Sequence, residues 1–266
     1  MTAQVVVHPD KATLAAAVAA RLITTLADAQ ARHGEVHVVL TGGSMGNATM
    51  TALADSPAVR AVAWELVHLW WGDERYVERA SEDRNATQAR EAGLDRLLDL
   101  GLQSGNVHEL PASDDPEGFD LEAAVQRYAD ELAAVARESS QPAAGTEPLG
   151  RPGADGLPAF EVVMLGVGPD AHVASLFPGR PTLQVQDRTV VAEANSPKPP
   201  PARLSLTFPA LCTADEVWLL VAGTDKADAV AAALGGVDVD EAPAAGVSGR
   251  RHTVWLLDED AASRLA

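Results

Sequence analysis

The feature that most limits how this chain can fold is an alternation repeated almost from end to end. Short β-branched or apolar stretches, each closed by a polar turn, give way to longer stretches with helical periodicity. Residues 5–7, 36–40, 66–71, 107–110, 160–165, 189–192, 204–208, 217–221 and 253–257 read as strands. Residues 14–32 read as a helix capped by Asp10 or Thr13 and stopped at Gly34. Further helices are expected just after Ser44, from a cap at Asp83 to about Leu100, over 119–138 and over 225–234. Strand–helix units in series make neighbouring strands parallel, because the crossover helix carries the chain back to the same edge of the sheet. The expectation is therefore an α/β fold: a mainly parallel, doubly wound (Rossmann-like) sheet with helices on both faces. The 266 residues are enough for one domain over 1–266. Residues 139–158, rich in Pro, Gly and Ala, read as a surface loop rather than a linker, since the flanks need each other to complete the sheet.

The strongest strand signal is 160–165, apolar except at Glu161, as expected of a strand buried on both faces. It leads into Gly166-Val167-Gly168-Pro169-Asp170-Ala171-His172. In open parallel sheets ligands bind beyond the carboxyl ends of the strands. The polar turns after Leu40, Trp71, Leu165 and Val221 all fall at such ends.

Charge excludes some classes of partner. With 38 acidic against 20 basic residues the net charge is −18, which argues against binding nucleic acid or an anionic membrane surface. The single cysteine, Cys212, allows no intrachain disulfide and reads as a small buried apolar residue, in keeping with a reducing compartment. The first ten residues lack the pattern of a signal peptide, and no apolar run approaches the roughly 20 residues that cross a bilayer. A cytoplasmic protein is expected. An anionic ligand would need a local cluster of cations, for which Arg75, Arg203 and Lys226 are the candidates.

Two motif matches point elsewhere. Gly42-Gly43-Ser44-Met45-Gly46 fits the nucleophile elbow of serine esterases, with Asp170 and His172 as formal triad partners. Too little chain precedes Ser44 for the usual upstream strands, and Asp170 and His172 are only two residues apart. Gly166-Val167-Gly168-Pro169-Asp170-Ala171 resembles a dinucleotide fingerprint with Glu193 downstream, but Phe177-Pro178-Gly179 ends any helix there.

Together the strand-end turns supply the parts of a phosphate-and-carbonyl site. Gly43 and Ser44 at a helix N-terminus offer free backbone N–H groups and a hydroxyl. Lys226 adds a point charge, and Arg203 could fork onto phosphate oxygens. His172 lies on an irregular loop beside Asp170, a setting that His8, His33, His37, His68, His108 and His252 lack. Gly72-Asp73-Glu74-Arg75 brings acids and an arginine to a neighbouring strand end. No H-x-x-x-H or C-x-x-C spacing occurs, so neither a metal nor another cofactor is expected.

At these residues the chain resembles the family of 6-phosphogluconolactonases and glucosamine-6-phosphate deaminases. The resemblance rests on Leu40-Thr41-Gly42-Gly43-Ser44, Trp71-Gly72-Asp73-Glu74-Arg75-Tyr76-Val77, the block from Leu165 to Gly179, Arg203-Leu204-Ser205-Leu206-Thr207 and Gly223-Thr224-Asp225-Lys226-Ala227. It implies hydrolysis of 6-phosphoglucono-1,5-lactone in the oxidative pentose phosphate pathway. His172 would be catalytic, and Gly43, Ser44, Arg203 and Lys226 would surround the phosphate. Asp73 matches a site acid of the deaminases. Asp170 would orient His172, and Arg75 or loop N–H groups would face the oxyanion. Ser175-Leu176-Phe177-Pro178 favours the lactonase branch over the deaminases, which typically carry Phe-Asn-Glu-Pro there. Ala171, Val173 and Met45-Gly46 depart from the family pattern, and Ala171 restricts the backbone if a positive φ is required. The rival readings are a deaminase or isomerase on the same fold and a sugar-phosphate sensor, although a sensor would normally carry a helix-turn-helix segment.

Overall fold

The computed structural model describes residues 3–116, 118, 120–140, 153 and 156–265. In chain order the elements begin with β1 (Gln4–His8), α1 (Lys11–His33), β2 (Val36–Leu40) and α2 (Gly43–Asp55). Next come β3 (Val67–Trp71), β4 (Asp73–Arg75), α3 (Asn85–Ala89), α4 (Asp95–Asp99), β5 (Val107–His108) and α5 (Leu121–Ser140). The remainder is β6 (Phe160–Gly166), β7 (Val190–Glu193), β8 (Arg203–Leu206), α6 (Phe208–Leu211), β9 (Glu216–Val221), α7 (Ala227–Leu234) and β10 (His252–Asp258).

Among the described residues seven strands form one sheet in the order β1-β10-β9-β6-β2-β3-β5, and every pairing in it is parallel. Helices pack around this sheet, as the alternation requires. Its centre, β6, β2 and β9, is buried almost throughout. Glu161, the lone charge in β6, is 3% exposed and meets His33 at 3.2 Å. Asp10 caps α1 by accepting from Thr13 N–H at 2.7 Å, and Gly34 ends the helix at φ 75°. By length and composition α1 could cross a bilayer, contrary to the sequence expectation. Instead Leu14, Val18, Leu22 and Leu26 on one stripe are buried in the core.

Several sequence expectations are corrected. Residues 189–192 and 204–208 do not join the parallel sheet: β7 and β8 pair antiparallel with each other, and β8 with β4, in a separate three-stranded sheet. The segment after Trp71, read as a turn, thus includes the short strand β4. Asp83 is not a helix cap. The helix starts at Asn85, and its first N–H groups are capped from a distance by the Glu74 carboxylate, at 2.7 Å to Asn85 N and 2.9 Å to Ala86 N. That helix is also broken at a wide turn where Gly93 adopts φ 141°. The loop expected over 139–158 lies largely outside the described residues, and α5 runs on to Ser140.

At the strand starts near one sheet edge, three histidines to which the sequence assigns no role come together. Glu35 contacts His37 at 3.0 Å and His68 at 3.5 Å, His68 Nδ1 meets His108 Nε2 at 2.9 Å, and His108 Nδ1 meets Glu131 of α5 at 2.7 Å. Trp70 stacks on His108 at 3.7 Å and donates its indole N–H to His37 Nδ1 at 3.2 Å.

Candidate active site

The loop leaving β6 is shaped around one imidazole. Gly168 N–H donates to His172 O at 3.0 Å and Ala171 N–H to Gly168 O at 2.9 Å, closing a tight turn. A side chain at Gly168 could not be accommodated, because its Cβ would lie 2.0 Å from His172 Nδ1 and 2.5 Å from Asp170 Oδ1. Ala171 and Ala174 take φ of 60° and 48°. Each left-handed alanine costs about 1 kcal/mol, strain that the buried surroundings of the turn hold in place. The departure from glycine at 171 is therefore tolerated without loss of the turn.

His172 Nδ1 lies 2.5 Å from Asp170 Oδ1, and the ring packs against Phe177 at a centroid distance of 4.6 Å. A carboxylate accepts only, so Nδ1 carries the proton and Nε2 is left as the basic nitrogen. Nε2 has no protein partner among the described residues. Asp170 also receives Lys198 Nζ at 3.0 Å. Burial opposes ionisation of Asp170, but the bonds from His172 and Lys198 hold its carboxyl well below the usual range.

His172 lines a cavity of about 360 Å³ at the carboxyl ends of β2, β3, β6 and β9. Of the eight residues singled out from sequence, Gly43, Ser44, Asp73, Arg75, Arg203 and Lys226 line it as well. Asp170 does not; it stands behind His172. The turn after β2 opens α2, with Gly43 at φ 72°. A Cβ at Gly42 would sit 1.9 Å from Asn85 Oδ1, so glycine there lets the α2 entrance close against α3. Thr41 Oγ1 accepts from Gly166 N–H at 3.0 Å and ties the ends of β2 and β6 together.

The opposite wall comes from the small sheet. Asp73 Oδ2 accepts from Ser175 Oγ at 2.6 Å. Glu74 faces away, is 1% exposed, and holds Arg75, Asn85 and Ala86 through their N–H groups. Arg75 Nη1 donates to Asp83 O at 2.5 Å. Arg203, expected to fork onto a ligand, spends most of that fork on the protein: Nε donates to Pro200 O at 2.8 Å, and Nη2 to Pro199 O at 3.1 Å and Lys198 O at 3.3 Å. Lys226 Nζ donates to Asp225 Oδ2 at 2.6 Å.

Two polar lining residues, Lys198 and Asn85, escaped the sequence reading. Lys198 sits in Ser196-Pro197-Lys198-Pro199-Pro200-Pro201, where a lone cation among prolines was the available signal. Asn85, whose Nδ2 donates to Asp73 O at 2.9 Å, gave none. Ser44 makes no hydrogen bond to His172 among the described residues, which leaves the esterase match without its geometry. Nor do the described residues include a group of three or more His, Cys, Asp or Glu side chains arranged to hold a metal ion.

Comparison with known proteins shows the family and the fold. A family model described as glucosamine-6-phosphate isomerases/6-phosphogluconolactonase matches residues 9–255. A 6-phosphogluconolactonase of Streptomyces coelicolor is 51% identical over 264 residues, 99% of this chain and 95% of that protein. One from Mycobacterium tuberculosis is 44% identical, covering 100% of this chain and 99% of that protein. Among solved structures, the 6-phosphogluconolactonase of Trypanosoma brucei superposes with a TM-score of 0.80 at 25% identity, over 100% of this chain and 99% of that one.

Proposed function

Because the chain belongs to the glucosamine-6-phosphate isomerase/6-phosphogluconolactonase family, we propose that it hydrolyses 6-phospho-D-glucono-1,5-lactone to 6-phosphogluconate, the second step of the oxidative pentose phosphate pathway. The observation that carries this reading is the His172 imidazole. Its proton is fixed on Nδ1 by Asp170, while its basic Nε2 is left without a protein partner on the wall of a cation-lined cavity.

His172 Nε2 takes a proton from water as the water oxygen attacks the lactone carbonyl, forming a tetrahedral oxyanion. The imidazolium then returns the proton to the ring oxygen as the C–O bond breaks, giving the open-chain acid. Such general base and acid help contributes about 10²–10⁴-fold. Asp170 orients the ring and steadies the imidazolium. Arg75 or the N–H groups of the 166–168 turn face the oxyanion. The phosphate sits at the N-terminus of α2 against Gly43 and Ser44, with Lys226 and the free edge of Arg203 completing its charge balance. Asp73, held by Ser175, is placed to bind a sugar hydroxyl. The two sheets share one hydrophobic core, which supports reading residues 1–266 as a single domain. The packing of α1 into that core, with the strongly acidic charge, supports a cytoplasmic enzyme with no membrane or nucleic-acid partner.

The test is to generate the lactone in situ with glucose-6-phosphate dehydrogenase, with chelator present, and follow its hydrolysis above the spontaneous rate. Chelator-resistant turnover that disappears in His172→Ala is expected. Turnover at background in the unaltered protein would sink the reading, and ammonia release from glucosamine 6-phosphate would replace it with the deaminase.

A further inference from the structure

The backbone around Lys198 is unusually constrained. Prolines on both sides fix its neighbours' φ angles. Ser196 Oγ accepts Lys198 N–H at 3.1 Å, and Ser196 N–H donates to Pro201 O at 2.9 Å. The Arg203 guanidinium binds the carbonyls of residues 198, 199 and 200. Held this way, the Lys198 ammonium lies 3.0 Å from Asp170 Oδ1 and 3.3 Å from His172 Nδ1, with the side chain 36% exposed at the cavity wall.

We propose that Lys198 is a positioning residue for His172, one that shares the Asp170 carboxylate and sets a positive charge beside the ring so that its basic nitrogen stays available. The inference rests on the lactonase reading of the same site. A carboxylate in contact with an imidazole favours the imidazolium, and an opposite charge at this range shifts a titration by about 1–3 units. A histidine already protonated at neutral pH cannot take a proton from water. Lys198 counters this in two ways. It donates to the same Asp170 oxygen that receives His172 Nδ1–H, so the carboxylate's negative charge is shared between two donors. It also places a positive charge beside the ring, which opposes a second one.

Other charges share the cavity: Asp73 and Arg75 from β4, Arg203 from β8, and Lys226 paired with Asp225 ahead of α7. Among the described residues only Asp170 and Lys198 reach the ring nitrogen. The role of Arg203 follows from the same geometry. By gripping the 198–200 carbonyls it fixes the segment from which Lys198 projects.

The test uses the full chain with Lys198→Met and Lys198→Arg. The His172 imidazole is titrated by NMR, its signal assigned by its absence in His172→Gln. In parallel, the pH dependence of kcat/KM for the lactone is measured. In Lys198→Met the imidazole midpoint should rise by about one unit. The acid limb of the rate profile should rise with it, and Lys198→Arg should restore both. An unmoved midpoint in Lys198→Met overturns the proposal. So does a fixed acid limb with only KM raised, which would make Lys198 a substrate contact alone. If the unaltered protein hydrolyses no lactone, the functional reading fails separately, and the NMR midpoint still decides the role of Lys198.

Discussion

The parallel strands carry a histidine–carboxylate array at each end. At the carboxyl end, His172 rests on Asp170 and Lys198 at the wall of the cavity. At the amino end, His37, His68 and His108 link Glu35 to Glu131 beneath Trp70. The residue types are nearly the same, and the difference lies in what is left over. Both ring nitrogens of each amino-end histidine have a partner: Trp70 and Glu35 for His37, Glu35 and His108 for His68, His68 and Glu131 for His108. His172 has a partner on Nδ1 only. A fully satisfied array holds strands to a helix, whereas a half-satisfied one can take a proton from a ligand.

The sharpest way to break this contrast is to exchange losses between the two ends. His172→Gln should lower kcat/KM by about 10²–10⁴-fold while moving the melting temperature by no more than a few degrees. His37→Leu should do the reverse. It leaves the Trp70 indole N–H buried without an acceptor and deprives Glu35 of a donor, so stability should fall by about 2–4 kcal/mol. Calorimetry should then record a drop in melting temperature of roughly 5–10 °C, with kcat per folded molecule unchanged. A catalytic loss in His37→Leu comparable to that of His172→Gln would end the comparison.

A slightly smaller effect tests the amino end through pH. Burial, opposed by Glu35, pushes the His37 imidazole down to about 4 from its ordinary 6.5. Between those values the unfolded chain binds a proton that the folded one refuses, so stability rises with pH across this window. On acidification from 6.5 to 4 the loss amounts to about 3 kcal/mol. Denaturant melts at pH 7, 5.5 and 4.5 should show this slope, and His37→Leu should flatten it. Glu35 and Asp170 act lower. Their folded carboxyls, burdened by burial but held down by their donors, contribute stability that is present above the ordinary carboxylate range and is lost as pH falls below it. The smallest effect belongs to Glu131, whose side chain is 38% exposed. Glu131→Gln should cost less than about 1 kcal/mol, read as a shift in denaturation midpoint. A larger cost would mean that the chain from Glu35 to Glu131 acts as one cooperative unit.

The sequence by itself determined the parallel sheet, because hydrophobic periodicity is a local signal and each strand–turn–helix unit carries its own. It also determined which turns meet at the cavity: parallel strands all point their carboxyl ends the same way, so residues after Leu40, Trp71, Leu165 and Val221 must converge. His172 and Asp170 were legible because they are two residues apart on one such turn. Tertiary structure alone decided the rest. The antiparallel sheet of β4, β8 and β7 depends on β4 meeting β8 across more than a hundred residues, for which the alternation has no sign. Arg203 looked free because the carbonyls it binds come from a proline-rich run whose path only the fold sets. Asp83 gave way to Glu74 as the cap of α3 because a carboxylate delivered from a strand reaches those N–H groups as well as a neighbour in sequence does. The roles of Lys198 and of the three linked histidines were hidden for the same reason. A side chain's type is written in the chain, but whether its polar atoms end up satisfied or spare depends on partners brought in from elsewhere, and that decides between a strut and a base.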